Sequence, residues 1–162
     1  MIRAAVTADA GAVAGLINAI NSLDHPAPAQ PMTPEIVLRD LICTAPKALL
    51  RVAERDDGQV AGFATATLIY DAERCGWAMM LLDLYVAPDA RRRGLARRLM
   101  AALAALALDR GALCLWWGVD QGDDAAMLFY RAIGARSEGL FSGELLEGAA
   151  LTQLANEGHG AA

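Results

Sequence analysis

The sequence has little of what metal centres and disulfide frameworks are built from: 2 histidines and 3 cysteines in 162 residues. His25 stands beside Pro26, and His159 lies in a Gly- and Ala-containing tail. With no HExxH pattern and no Cys/His cluster, no metal site is expected. Cys43, Cys75 and Cys114 make no CxxC pair and leave an odd count, which argues against a disulfide framework and for a reducing cytoplasm. The longest uncharged stretch, Ala10 to Leu23, carries Asn18 and Asn21 and is too short to span a bilayer. Asp9 interrupts the N-terminal apolar run and no cleavage site follows, so neither a signal peptide nor a membrane partner is expected. Lysine occurs once, at Lys47, far from any glycine-rich loop, so the Walker pattern GxxxxGK[ST] is absent, as is GxGxxG. The balance of 14 basic against 19 acidic residues, a net charge of −5, argues against a general nucleic-acid partner.

What is present is a chain 56 % hydrophobic and 20 % charged, the composition of a folded domain with a real core. No repeat or linker divides it. One domain is expected over residues 2–154, with 155–162 a disordered tail. The positive charge is concentrated: Arg91, Arg92, Arg93, Arg97 and Arg98 fall together with no acid among them. One sharply basic spot on an otherwise acidic chain points to a small anionic ligand held at one place.

Periodicity and punctuation give the elements. Met1–Ala5 reads as a strand and Thr7 as the N-cap of a helix over about Ala8–Ile20. The Asn21–Pro31 segment is a loop. Thr33-Pro34-Glu35 opens a helix to about Ile42. Leu49–Glu54 and Val60–Tyr70 are strands joined by the turn Asp56-Asp57-Gly58-Gln59. Trp77–Val86, apolar except at Asp83, fits a strand buried on both faces. Leu95–Asp109 is an amphipathic helix stopped at Arg110-Gly111. Leu113–Val119 is a strand, and Asp123–Ile133 a helix stopped at Gly134. Ala135–Phe141 and Glu144–Leu151 read as a last hairpin around Ser142-Gly143. Alternation of strands and helices in the second half predicts a parallel pair there, beside an antiparallel meander.

The chemistry lies where the Trp77–Val86 strand ends at Pro88 and the loop Arg91-Arg92-Arg93-Gly94 opens the next helix. The first amides of a helix have no internal partner and carry partial positive charge, a ready phosphate site. Gly94 allows close backbone approach, Ala96 leaves room, and arginines are bidentate donors to phosphate oxygens. The same residues would also make a plain helix start with solvated arginines. Arg91-x-x-Gly94-x-Ala96 after Leu84-Tyr85-Val86 resembles the [R/Q]xxGx[G/A] acyl-CoA motif of the GNAT superfamily of N-acetyltransferases. Asp123 to Gly134, with Phe129-Tyr130, is similar to that family's NxxAxxFYxxxG helix. Trp117-Gly118-Val119 and the Ser142–Leu154 ending resemble its diamine (spermidine/spermine) acetyltransferase-like branch.

The resemblance implies an α/β (α+β) three-layer GNAT-like fold. Its central mixed sheet is mostly antiparallel with one splayed parallel strand pair, and helices flank both faces. It implies acetyl-CoA as co-substrate and direct transfer to a primary amine of a small molecule. The pantetheine arm would lie between the splayed strands against the main chain of Leu84, Tyr85 and Val86. The diphosphate would sit on Arg91, Arg92, Arg93, Gly94, Leu95 and Ala96, and Asp123, Ala126 and Phe129 would complete the cofactor site. Tyr130 matches the family's general-acid tyrosine, which protonates the departing thiolate; a packed core aromatic is the other reading. Asp83 would orient the amine or accept its proton through water, or else be a satisfied polar group at a β-bulge. The branch's Glu before that Asp is Leu82 here. Asp123 stands where the family has Asn, and still suits a cap. Asp24 and Trp117 are expected at the acceptor pocket, with Asp71, Glu73 and Asp120 as further acids around it. A homodimer is expected by the same resemblance. A non-catalytic acyl-CoA-binding protein and a protein or peptide N-acetyltransferase are the alternatives.

Overall fold

The computed structural model describes residues 1–23 and 30–159. The chain divides into two compact units, Met1–Gly122 and Asp123–Ala162. The first holds a five-stranded sheet whose spatial order follows the sequence: β1 (Ile2–Ala4), β2 (Leu49–Glu54), β3 (Val60–Asp71), β4 (Gly76–Val86) and β5 (Leu115–Trp116). Strands β1 to β4 pair antiparallel, and β4 pairs parallel with β5. The mixed α/β class and the single parallel pair match the expectation.

Helix α1 (Ala10–Asn21) and helix α2 (Pro34–Asp40) cover one face. Val13, Ala14 and Ile17 of α1 and Val37 of α2 pack with Leu50, Val52, Phe63 and Tyr85 of the sheet. Full burial of aliphatic and aromatic side chains such as these contributes about 1.5–3 kcal/mol each. Strand residues of the opposite parity, among them the small Ala64 and Ala66, face the other way and receive helix α3 (Leu95–Asp109) through its buried Leu95, Leu99 and Leu103. The turn between β2 and β3 forms as predicted: Gly58 has φ 83°, and the Asp57 carboxylate accepts from the Gln59 amide at 2.9 Å. Thr33-Pro34 opens α2 as predicted, with Pro34 in the first turn, and Thr33 also caps it, its Oγ1 accepting from the Ile36 amide at 3.4 Å.

Three expectations are corrected. Thr7 does not cap α1; it lies in a 3-10 turn (Thr7–Asp9) ahead of the helix. The organising residue there is buried Asp9, which accepts from the Val6 amide at 2.7 Å and from Arg3 at 2.6 and 2.9 Å. Arg3 Nε also donates to Glu54 at 2.5 Å, tying β1 to the end of β2. The expected strand Leu113–Val119 shortens to Leu115–Trp116, because it parts from β4 after the pair Met80–Trp116. The expected last hairpin does not form. Residues 135–147 have no regular secondary structure, and Gly148–His159 is helix α5. The 135–147 segment has no β-branched residue to favour a strand, and Gly139 sits at φ 109°. The run after Gly148, with Ala149, Ala150, Leu151, Leu154 and Ala155, favours helix. It crosses residue 155, where a tail was expected to begin.

The second unit contains α4 (Asp124–Ala132) and α5. Among the described residues no helix is long and apolar enough to cross a membrane.

Candidate functional site

Strand β4 carries an irregularity at its centre. Thr65 pairs with Asp83 and the next residue of β3, Ala66, pairs with Leu81, so Leu82 is the extra residue of a β-bulge. A bulge was one reading of Asp83; it falls one residue earlier and leaves Leu82 46 % exposed. Asp83 and Tyr85 point to the face covered by α1, and Leu84 and Val86 to the face covered by α3. Thr65 is buried, and a buried hydroxyl needs a partner. It donates to Asp83 Oδ2 at 2.5 Å, which fixes that half-buried carboxylate beside the bulge. Past Met80 the side of β4 away from β3 has no strand paired to it among the described residues. The main chain from Leu81 to Tyr85 therefore has no partner strand along one edge, the arrangement an extended amide-containing ligand can pair with, whereas the Val86 carbonyl is taken by Arg91.

At the end of β4 the chain makes a 3-10 turn (Pro88–Ala90) and then turns sharply into α3. Arg92 has φ 64° and Gly94 φ 75°, two left-handed residues with one between them. Such alternation directs successive amides into one concavity suited to anions. Gly94 is the N-cap of α3 and no side chain caps the helix. A Cβ on Gly94 would meet nothing within 4 Å, so the glycine serves its left-handed conformation and not a lack of room. Buried Leu95 anchors the first turn, half-buried Ala96 keeps it unobstructed, and Arg92, Arg93, Arg97 and Arg98 are exposed. Arg91 plays a different part from its neighbours. Its Nε donates to the Val86 carbonyl at 2.9 Å, and its guanidinium lies 5.7 Å from the centroid of the Tyr85 ring. Arg91 thus clasps the strand end to the loop, and the Tyr85 ring belongs to the core.

In the second unit, Asp123 caps α4, its Oδ1 accepting from the Ala126 amide at 2.9 Å, as the sequence predicts for that residue. The Phe129 and Tyr130 rings lie 5.1 Å apart at 56°. Burial first, and the Asp123 carboxylate second, push the Tyr130 phenol above its ordinary value. The left-handed Gly134, at φ 95°, ends the helix, and the Ala135 amide closes on the Tyr130 carbonyl at 3.0 Å. Asp83, Leu84–Val86 and Arg91–Ala96 are thus brought together on one strand–loop–helix, and Asp123, Ala126, Phe129 and Tyr130 on one helix.

The acceptor-side expectations fare differently. Asp24 lies outside the described residues. Trp117 is half-buried just beyond the end of β5. Asp71 is engaged in closing the β3–β4 turn: it accepts from the Arg74 amide at 3.0 Å and pairs with the Arg74 guanidinium at 2.5 Å. Two contributors were invisible to sequence reading, Thr65 beneath Asp83 and Arg55 beside Asp89. Their contacts span 18 and 34 positions and no local motif announces them.

The acetyltransferase (GNAT) family model matches residues 16–135. A thialysine N-epsilon-acetyltransferase of Caenorhabditis elegans is 37 % identical over 86 residues, 51 % of this chain and 53 % of that protein. The chain spans about half the length of the curated relatives it matches, 53 % and 58 % for those of C. elegans and Mycobacterium bovis. An integron cassette protein of V. cholerae superposes with a TM-score of 0.78 at 24 % identity, covering 96 % of both chains. An aminoglycoside N-acetyltransferase solved in complex with CoA gives a TM-score of 0.71 at 19 % identity, over 91 % of this chain and 99 % of that one. At these identities the structural likeness is one of fold.

Proposed function

This chain belongs to the acetyltransferase (GNAT) family, and from that premise we propose that it moves the acetyl group of acetyl-CoA to a primary amine of a small molecule, by direct attack within a ternary complex. One observation carries the reading: the start of α3 without a side-chain cap, entered through left-handed Arg92 and Gly94. Those residues fit a diphosphate. Backbone amides supply the donors and Arg92 and Arg93 supply countercharge. The edge of β4 from Leu81 to Tyr85, which no strand pairs among the described residues, fits the pantetheine amides.

Acetyl-CoA supplies an activated acyl group as a thioester. In the transfer the amine nitrogen bonds to the acyl carbon, the carbon–sulfur bond breaks, the amine loses a proton and the sulfur gains one. The chain's part is to polarise, orient and move protons. A main-chain amide at the Leu82 bulge is suited to receive the charge that develops on the acyl oxygen. Asp83, held by Thr65, orients a cationic amine or takes its proton through water. Tyr130 donates the proton to sulfur. Its raised value keeps the phenol protonated at neutral pH, as a donor must be.

For the acceptor, the C. elegans relative is a thialysine N-epsilon-acetyltransferase, which supports a small molecule with a primary amine. The free thiols of Cys43, Cys75 and Cys114 support a reducing, cytoplasmic setting. Exposed Leu140, Phe141 and Leu145 support a homodimer that covers them, checked by the solution mass. The reading is tested by free-thiol release from acetyl-CoA over polyamines, amino-sugars, amino acids and peptides. Amine-dependent release with small amines is expected. The absence of a glutamate at Leu82 favours a second reading, acyl-CoA binding without catalysis, which predicts CoA binding and no release with any acceptor.

A further inference from the structure

The loop that opens α3 carries an acid as well as arginines. Asp89, in the Pro88–Ala90 turn four residues before Arg93, has a side chain 68 % exposed, and its carboxyl is held below the ordinary range by Arg55 first and by the Arg93 charge last. A free carboxylate there would compete with an anionic ligand for Arg93 and would repel that ligand. The structure shows what holds it. Arg55, just past the end of β2, places Nη2 2.7 Å from both Asp89 oxygens. Its side chain is only 26 % exposed. Its Nε is buried and unpartnered, so among the described residues Asp89 is the only acceptor bonded to this guanidinium. An arginine so placed, with one carboxylate as its sole bonded acceptor, is arranged for that carboxylate.

We propose that Arg55 is a positioning residue for the anion cradle: by neutralising Asp89 it leaves Arg93 and the α3 amides available to a diphosphate. The inference rests on the proposed CoA reading for the identity of the ligand, and on the Arg55–Asp89–Arg93 arrangement for the effect itself. Arg55 is lifted and Asp89 lowered by their mutual hydrogen bonds, so both stay charged across the neutral range. Arg55 need not touch the ligand.

The test is a double-mutant cycle, which isolates coupling between neighbours. CoA and, separately, inorganic pyrophosphate are titrated calorimetrically at low ionic strength into the full chain. The forms compared are wild type, Arg55→Met, Asp89→Asn and the double variant, each with a thermal melt. Arg55→Met is expected to weaken binding about fivefold when Asp89 is present and by less than about twofold when it is Asn. Asp89→Asn alone is expected to bind as tightly as wild type or more so. Equal weakening by Arg55→Met in both backgrounds would make Arg55 a direct ligand cation and overturn the proposal, as would no weakening in either. Should Arg55→Met not fold, Arg55→Gln takes its place. Asp89→Asn decides by itself as well, since weakening of more than about threefold overturns the proposal. Binding of pyrophosphate without CoA would sink the CoA reading, and the cycle read with pyrophosphate would still decide the role of Arg55. Binding of neither overturns both.

Discussion

Two helices of this molecule begin in opposite ways. Helix α3 starts at left-handed Gly94, among arginines, with no side chain capping its first amides. Helix α4 starts at Asp123, whose carboxylate already occupies the Ala126 amide, with Asp124 adding an acid to the first turn. Every helix start carries unpaired amides and partial positive charge. What differs is whether the chain satisfies them itself or leaves them for a ligand. The comparison teaches that α4 holds its own start with a side chain and α3 does not, which is why the proposed anion site is put on α3 and the proposed proton donor, Tyr130, on α4.

The strongest way to break the contrast is to give α3 the cap of α4. Gly94→Asp supplies a carboxylate where the diphosphate is expected, and Asp is among the residues that tolerate the left-handed conformation. CoA affinity measured by calorimetry should fall by roughly a hundredfold or more, the combined loss of an anion site and gain of a like charge. Next in size is the change that separates the two helices by role. Tyr130→Phe should lower kcat by about a hundredfold, the lower end for lost acid catalysis, and leave CoA affinity unchanged. A fall in affinity with no fall in kcat would put Tyr130 on the binding side.

The smallest effect sharpens α4 itself. Asp123→Ala removes the cap and should cost about 1 kcal/mol of helix stability, read in a denaturant melt. The companion Asp123→Asn addresses pH. The Asp123 charge disfavours the phenolate, so removing it lowers the Tyr130 value, while burial, the larger cause, remains. Activity limited by the protonated phenol is lost as pH rises through that value. The alkaline limb of kcat should therefore move to lower pH in Asp123→Asn and not vanish.

What was legible in the sequence was whatever is fixed within a few residues. Thr33-Pro34, Asp57-Gly58, the Gly94 corner and the Asp123 cap each depend on one turn of chain, and all appear as read. The α3 boundaries, Leu95–Asp109, agree residue for residue, because an apolar stripe, a preceding glycine and the Arg110-Gly111 stop all favour the same ends. The rest depends on distant partners. Thr65 meets Asp83 through the β3–β4 register, and Arg55 meets Asp89 only because β2 ends beside the start of α3. Thr7 looked like a cap, but the buried Asp9–Arg3 pair governs that corner. The final hairpin was read around Ser142-Gly143, where helix-forming residues after Gly148 and the lack of β-branched residues before it decided otherwise.

The central claim is that the ligand's diphosphate seats on the open helix start and not on the capped one. Amide hydrogen exchange with and without CoA tests it directly. The account predicts slowed exchange in the peptide containing Arg92–Ala96, extending along Leu84–Val86, with the cap peptide at Asp123–Met127 little changed at its first amides. Protection confined to Asp123–Met127, or no protection at Arg92–Ala96 under saturating CoA, would contradict it.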